Sequence, residues 1–138
     1  DVGTNVKQPV VDFYDSMSDY FRQSRRAIDA IVAKGIPDEE IPALLTIARK
    51  SSASPNQLMD ARKAGRSWAE IASQNKVQLA GEDFVTEANV QFLAEYHGQA
   101  AEEVRALKNK GSSFVEIDQQ YRRVGTKPRT ERPGTTGR

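Results

Sequence analysis

The sequence has no cysteine among its 138 residues, which excludes disulfide bonds, thiolate metal sites and cysteine nucleophiles. His97 is the only histidine, so catalysis by a histidine base has one candidate, and a zinc site would need carboxylates as its other ligands. Neither a glycine-rich phosphate loop nor a Gly-x-Ser-x-Gly motif occurs. We therefore predict that the protein is not an enzyme and has no metal site and no cofactor.

Long apolar runs and a large net charge are also missing. No stretch approaches the roughly 20 apolar residues that a membrane span requires, so we predict no transmembrane segment. The net charge is +1, with 28% charged and 38% hydrophobic residues. This composition is typical of soluble proteins. A net charge this small gives no strong electrostatic attraction to nucleic acid or to an anionic membrane. Only the end of the chain is basic, and we predict a disordered basic tail at 126–138.

The beginning of the chain is polar. The residues "DVGTNVKQP" lack an initiator methionine and precede the first amphipathic run, so they resemble the mature end that remains after a signal peptide is removed. A chain shortened by engineering would begin in the same way. We expect a disordered segment at 1–8 and a periplasmic or secreted protein, with a cytoplasmic protein as the alternative.

The first periodic segment, "PVVDFYDSMSDYFRQSRRAIDAIVAKG", carries apolar residues at spacings of three and four. This pattern predicts one helix of about 25 residues that begins near Pro9 and stops at Gly35. Arg22, Arg25 and Arg26 would form a basic solvent face on it. The broad apolar stripe would either pack within the chain or pair with a second copy, which leaves open a homodimer through this helix.

Further helices are predicted from their start and stop signals. Ser54 with Gln57, and Ser67 with Glu70, have the spacing of a capping box. The acidic residues that begin at Asp38 favour a helix N-terminus there. No segment alternates with period two for long enough to make a strand. We predict an all-α fold, a compact bundle of about seven helices that forms a single domain at 9–125.

The sequence matches itself after a shift of 46. The stretch "GRSWAEI", which begins at Gly65, falls on "GSSFVEI", which begins at Gly111, so that Trp68 matches Phe114. In both copies the glycine permits a tight turn at the end of one helix, and the serine caps the N-terminus of the next helix. The aromatic residue that follows the serine packs inward. We interpret this as an internal duplication. Two related three-helix units, at about 38–77 and 84–124, would then pack against the long N-terminal helix.

The pattern "GIPDEEIPALL", followed by "SPNQLMDARKAGRSWAEI", resembles a group of uncharacterised helical proteins of bacteria that are often exported. The resemblance covers roughly residues 33–77. It implies a helical and exported protein, and it implies no activity because that group has no known function.

The segment 54–77 also has the outline of a helix-turn-helix, a motif that reads DNA. Where a recognition helix would follow, the stretch "QLAGEDFVTEAN" contains carboxylates and no cation. A reading helix needs hydrogen-bond donors for base edges and cations for phosphates. The sequence therefore argues against nucleic acid as the partner. Nucleic-acid binding through 54–77 and the basic tail remains the alternative hypothesis.

The candidate contact residues are cations at a helix end. Arg62, Lys63 and Arg66 crowd the end of one predicted helix, where they would stabilise its C-terminus or contact an anion or an acidic partner. We interpret His97, in "EYHG", as a favourable charge at another helix end. We predict a non-catalytic exported protein with a binding or structural role in the bacterial envelope, whose partner is an unknown protein or envelope component.

Overall fold

A computed structural model of the chain describes residues 8–81 and 83–124. Within these ranges the protein has eight α-helices and no β-strand, which confirms the predicted all-α fold. The helices are α1 (Gln8–Phe21), α2 (Arg25–Ala33), α3 (Ile41–Lys50), α4 (Pro55–Lys63), α5 (Trp68–Gln74), α6 (Phe84–His97), α7 (Ala101–Asn109) and α8 (Phe114–Arg123), and a short 3-10 helix, Asp38–Glu40, runs into α3.

The chain divides into a first unit, Arg26–Asn89, and a second unit made of Asp1–Arg25 and Val90–Arg138. The predicted disordered segments at 1–8 and 126–138 lie outside the described residues, except for Gln8, which begins α1.

The prediction of one long N-terminal helix is wrong, because a turn separates α1 from α2. Arg22 adopts a left-handed backbone conformation with a φ of 59°, and the Gln23 amide donates to the Ser18 carbonyl at 3.1 Å. This hydrogen bond belongs to a Schellman ending, in which glycine commonly takes the left-handed position. The predicted basic face is broken as well, since Arg22 lies in the turn and Arg25 pairs with Asp15.

The apolar stripe of α1 is buried within the chain. Phe13 and Met17 are completely inaccessible to solvent, and Tyr14 and Phe21 are buried. α1 packs along α8, and the ring of Phe13 meets that of Phe92 edge-on, with 5.7 Å between centroids. The described part of α1 exposes no large apolar side chain, and a homodimer through this helix stays a prediction.

The first unit contains the helical triplet α3, α4 and α5, whose members pack on one another. Capping boxes begin α4 at Ser54 and α5 at Ser67, as the sequence predicts. The indole of Trp68 is only 3% exposed, and its nitrogen donates to the Glu40 carboxylate at 2.7 Å. The indole thus connects the start of α5 to the 3-10 helix that precedes α3.

The second unit contains α7 and α8, which pack on each other, and α1, which packs on α8. Ser113 begins α8 with a third capping box. Phe114 is buried, and the ammonium of Lys108 lies 4.8 Å from the centre of its ring. Trp68 and Phe114 are therefore both buried first residues of a capped helix.

Candidate functional site

Polar side chains form a buried cluster around the carboxylate of Asp118, which is completely inaccessible to solvent. Its Oδ1 accepts a hydrogen bond from the Ser16 hydroxyl at 2.8 Å and lies 2.7 Å from Nε2 of His97. Its Oδ2 accepts from Nε of Arg122 at 3.2 Å. The Arg122 guanidinium also donates to the Ser16 hydroxyl at 2.8 Å and to the Asp12 carbonyl at 2.9 Å. The cluster thus joins α1, α6 and α8 within the second unit.

The cluster contains the residue types of a hydrolytic triad without its arrangement. In a triad the histidine bonds the nucleophile, whereas here Ser16 and His97 both bond the same oxygen of Asp118. None of the three side chains reaches solvent. The geometry suits a structural link between helices, not the attack of a serine on a substrate.

The sequence does not connect His97 with Asp118. His97 is the last residue of α6, as its interpretation as a helix-end charge requires, but its side chain is buried against a carboxylate. The sequence contains one indication that Asp118 has a buried partner. Asp118 lies beside Ile117 and four residues after Phe114, on the buried face of α8. A carboxylate on such a face indicates a buried partner, since an unpaired charge there is costly.

Two tyrosines flank His97. The Tyr96 hydroxyl donates to Asp19 at 2.9 Å, and the ring of Tyr121 lies 5.3 Å from that of His97. Burial and the hydrogen bond to Asp19 raise the pKa of Tyr96 well above its usual value. Burial, followed by the negative charge of Glu103, raises the pKa of Tyr121 to about 12. Both hydroxyls therefore keep their protons through the neutral and mildly alkaline range.

An open groove with a volume of about 550 Å³ lies beside α5 in the first unit. This volume is in the range of sites that take up a small ligand. Val77 and Phe84 are buried beneath it and Leu79 is half-buried. Lys76 is the only charged residue of the lining that the structure describes. The lining consists of Ala69, Ala72, Ser73, Lys76, Val77, Gln78, Leu79, Gly81 and Phe84.

Lys76 holds a strained position at the edge of this groove. Its φ is 61°, and the following amide, that of Val77, donates to the Ala72 carbonyl at 2.9 Å, so Lys76 takes the place of glycine in a Schellman ending of α5. The left-handed conformation costs a residue with a side chain about 1 kcal/mol. A lysine in such a conformation beside a groove motivates a functional hypothesis for that groove.

The predicted contact residues Arg62, Lys63 and Arg66 lie around the end of α4. Nε of Arg62 is 3.5 Å from the Glu40 carboxylate, and its guanidinium donates to the Arg66 carbonyl at 3.1 Å. The Arg66 guanidinium donates to the Gln74 side chain at 2.9 Å, and Lys63 is exposed. Arg62 therefore connects the turn after α4 with the 3-10 helix that precedes α3. A role of these residues in anion or partner contact stays a prediction.

The segment after α5 does not have the form of a recognition helix. Residues 75–81 and 83 are not helical, and α6 begins only at Phe84. In the first two turns of α6, Glu87, Ala88, Asn89 and Val90 are buried. Asn89 is held by the Glu39 carbonyl at 2.8 Å. A buried face with a carboxylate cannot lie in a groove of DNA.

None of the helices that the structure describes is long and apolar enough to cross a membrane. Comparison with known proteins finds no protein family whose model matches the chain, no similar protein among the curated ones and no similar solved structure. The groove beside α5 and the cluster around Asp118 must therefore be interpreted from their own geometry.

Proposed function

We propose that the protein is a non-catalytic binding protein and that its docking surface is the groove beside α5. The observation that supports this most directly is the lining. Apolar side chains of Val77, Leu79 and Phe84 stand beside small residues of α5 and one described cation, Lys76, and the exposed surface of the lining is somewhat more polar than apolar. Ligand sites combine apolar side chains with a few polar groups that fix orientation. The occupant that fits is an apolar segment of a partner protein with a carboxylate placed near Lys76.

We also infer that α3–α5 and α6–α8 are related triplets. The glycines before the two matching capping boxes, Gly65 and Gly111, have φ values of 103° and 111°. The capping residues Ser67 and Ser113 have the same φ of −76°, with ψ values of 160° and 164°. A duplication accounts for two turns of the same geometry 46 residues apart.

Nucleic-acid binding has weaker support. Arg62 is engaged with Glu40, and Arg66 with Gln74, so two of the three predicted cations have partners within the chain. The exposed residues of α5 include Glu70 and no cation. The basic tail lies outside the described residues.

A displayed library of random peptides, selected on the full chain, tests the docking proposal. Ala69→Trp would fill the groove from its exposed edge, and Ser73→Arg would block the same face with a charge. Ala106→Trp is the matched control, because Ala106 is an exposed helical alanine of α7.

We expect selected peptides to bind the unmodified chain and the Ala106→Trp variant and to lose binding to both groove variants. Circular dichroism would check that each variant folds. Peptides that bind the groove variants as tightly as the unmodified chain would contradict the proposal, as would a selection that yields no binder.

A further inference from the structure

We propose that the segment taken up by the groove is an amphipathic helix of a partner protein, an inference that rests on the proposed function. It follows from a comparison of α5 with α8. A shift of 46 places Ala69, Ala72 and Ser73 on Val115, Asp118 and Gln119. Residues at these spacings lie on one face of a helix. Each helix therefore has a corresponding face, and the two faces are covered differently.

On α8 a helix covers this face. The Ser16 hydroxyl of α1 donates to Asp118, and Arg122 donates to the backbone of α1 at the Asp12 carbonyl. Asp118 is completely buried as a result. On α5 the described residues leave Ala69 and Ser73 exposed, and the groove runs alongside them. Ala72, the counterpart of Asp118, is buried within the lining, so the face that receives a helix on α8 is open on α5 at Ala69 and Ser73.

The charges of the two faces define the helix that would fit. On α8, Asp118 and Arg122 offset each other, and α1 presents a neutral hydroxyl, Ser16, to both. On α5 an alanine, Ala72, replaces the aspartate. Lys76 stands at the position of the arginine, just after the helix ends, and is the one charged residue of the described lining, while the Glu87 carboxylate packs against Gly81. A carboxylate is therefore the complementary group at the position that Ser16 takes in α1.

The occupant is accordingly an amphipathic helix with two features. An apolar stripe, like that of α1, would pack against Val77, Leu79 and Phe84. An acidic residue within that stripe would lie beside the exposed Ser73 and pair with Lys76. The small side chains of α5 permit the close approach of a second helix, as helix-in-groove recognition requires.

Two helical peptides test this inference against the full chain. Both copy the sequence of α1, Gln8–Phe21, and carry a hydrocarbon staple on the face that α1 exposes. One contains Ser16→Glu and the other Ser16→Lys. Titration calorimetry should show that the glutamate peptide binds about fivefold more tightly than the lysine peptide, the difference expected for an attractive against a repulsive exposed pair. Lys76→Glu in the protein should reverse this order, and Ala69→Trp should abolish binding of both peptides.

Each other outcome has a definite meaning. Equal affinities, or an order that Lys76→Glu does not reverse, would overturn the proposed helix. Binding that survives Ala69→Trp would overturn it too, because the peptide would then bind away from the groove. If selected library peptides bind in a manner sensitive to Ala69→Trp and the helical peptides do not bind, the helix inference is wrong and the docking groove stands. If neither class binds, both proposals are wrong.

Discussion

The imidazole of His97 and the carboxylate of Asp118 meet with 2.7 Å between Nε2 and Oδ1, and their side chains are only 1% and 0% exposed. With Ser16 and Arg122, this pair joins the N-terminal helix to the last helix that the structure describes. A buried polar cluster of this kind stabilises one arrangement of helices only while each member keeps its partner. Single substitutions within the cluster should therefore weaken the packing of α1 on α8.

Asp118→Asn should lower the free energy of unfolding by roughly 2–4 kcal/mol, because it removes the charge that Arg122 pairs with and leaves a buried donor poorly matched. Urea unfolding followed by circular dichroism measures the change. Asp60→Asn, at an exposed position of α4, is the control and should change stability by no more than about 0.5 kcal/mol. Equal effects of the two substitutions would show that the cluster does not stabilise the fold.

The capping serines should contribute similar amounts in the two matching turns. Ser67→Ala and Ser113→Ala each remove the side-chain acceptor for the amide three residues later, and each should destabilise the protein by about 1 kcal/mol. Ser73→Ala is the control, because Ser73 is an exposed residue inside α5 and alanine favours a helix interior. Thermal and urea unfolding measure all three. If Ser73→Ala lowered the free energy of unfolding as much as Ser67→Ala and Ser113→Ala do, the assignment of Ser67 and Ser113 as helix caps would be contradicted.

Lys76→Gly should stabilise the protein by about 0.5–1 kcal/mol, since glycine adopts the left-handed conformation without the clash of a Cβ atom. Lys76→Ala keeps the Cβ atom and should give no gain. The free energies of unfolding of the two variants separate the backbone effect from the loss of the ammonium group. An equal gain from alanine would mean that the charge, and not the conformation with φ of 61°, is unfavourable.

Stability should fall at alkaline pH because of Tyr96 and Tyr121, whose pKa values are raised in the folded chain. An unfolded tyrosine has a pKa near 10. The stabilisation is therefore complete below about pH 10 and is lost as the pH rises through the folded pKa, about 12 for Tyr121. Urea unfolding at several pH values between 9 and 12 should show that the free energy of unfolding falls less with rising pH in Tyr121→Phe than in the unmodified chain. Identical pH dependence would contradict this explanation.

The features that the sequence predicts well are local. The capping boxes at Ser54 and Ser67 depend on residues three apart, and they occur where expected. The break after α1 could not be predicted in the same way. Its left-handed residue is Arg22 instead of glycine, and the apolar spacing continues across the turn.

The candidate sites depend on contacts that are distant in sequence. Ser16 and Asp118 are 102 residues apart, and no periodic pattern connects them. The groove beside α5 was also not predicted, because it results from where the loop after Lys76 places Leu79 and Phe84. The sequence shows that α5 matches α8. It does not show that α1 packs on the face of α8 that contains Asp118.

The most direct test of the binding account uses the absence of cysteine from the chain, since a single introduced thiol can carry a dye without side reactions. An environment-sensitive dye would be attached to Ala80→Cys, an exposed position between the lining residues Leu79 and Gly81, and, separately, to Ala106→Cys on α7. Titration with a peptide selected from the displayed library should shift the emission of the dye at position 80 to shorter wavelength, with saturation, and leave the dye at position 106 unchanged. Equal responses at the two positions, or no response at position 80, would contradict the account.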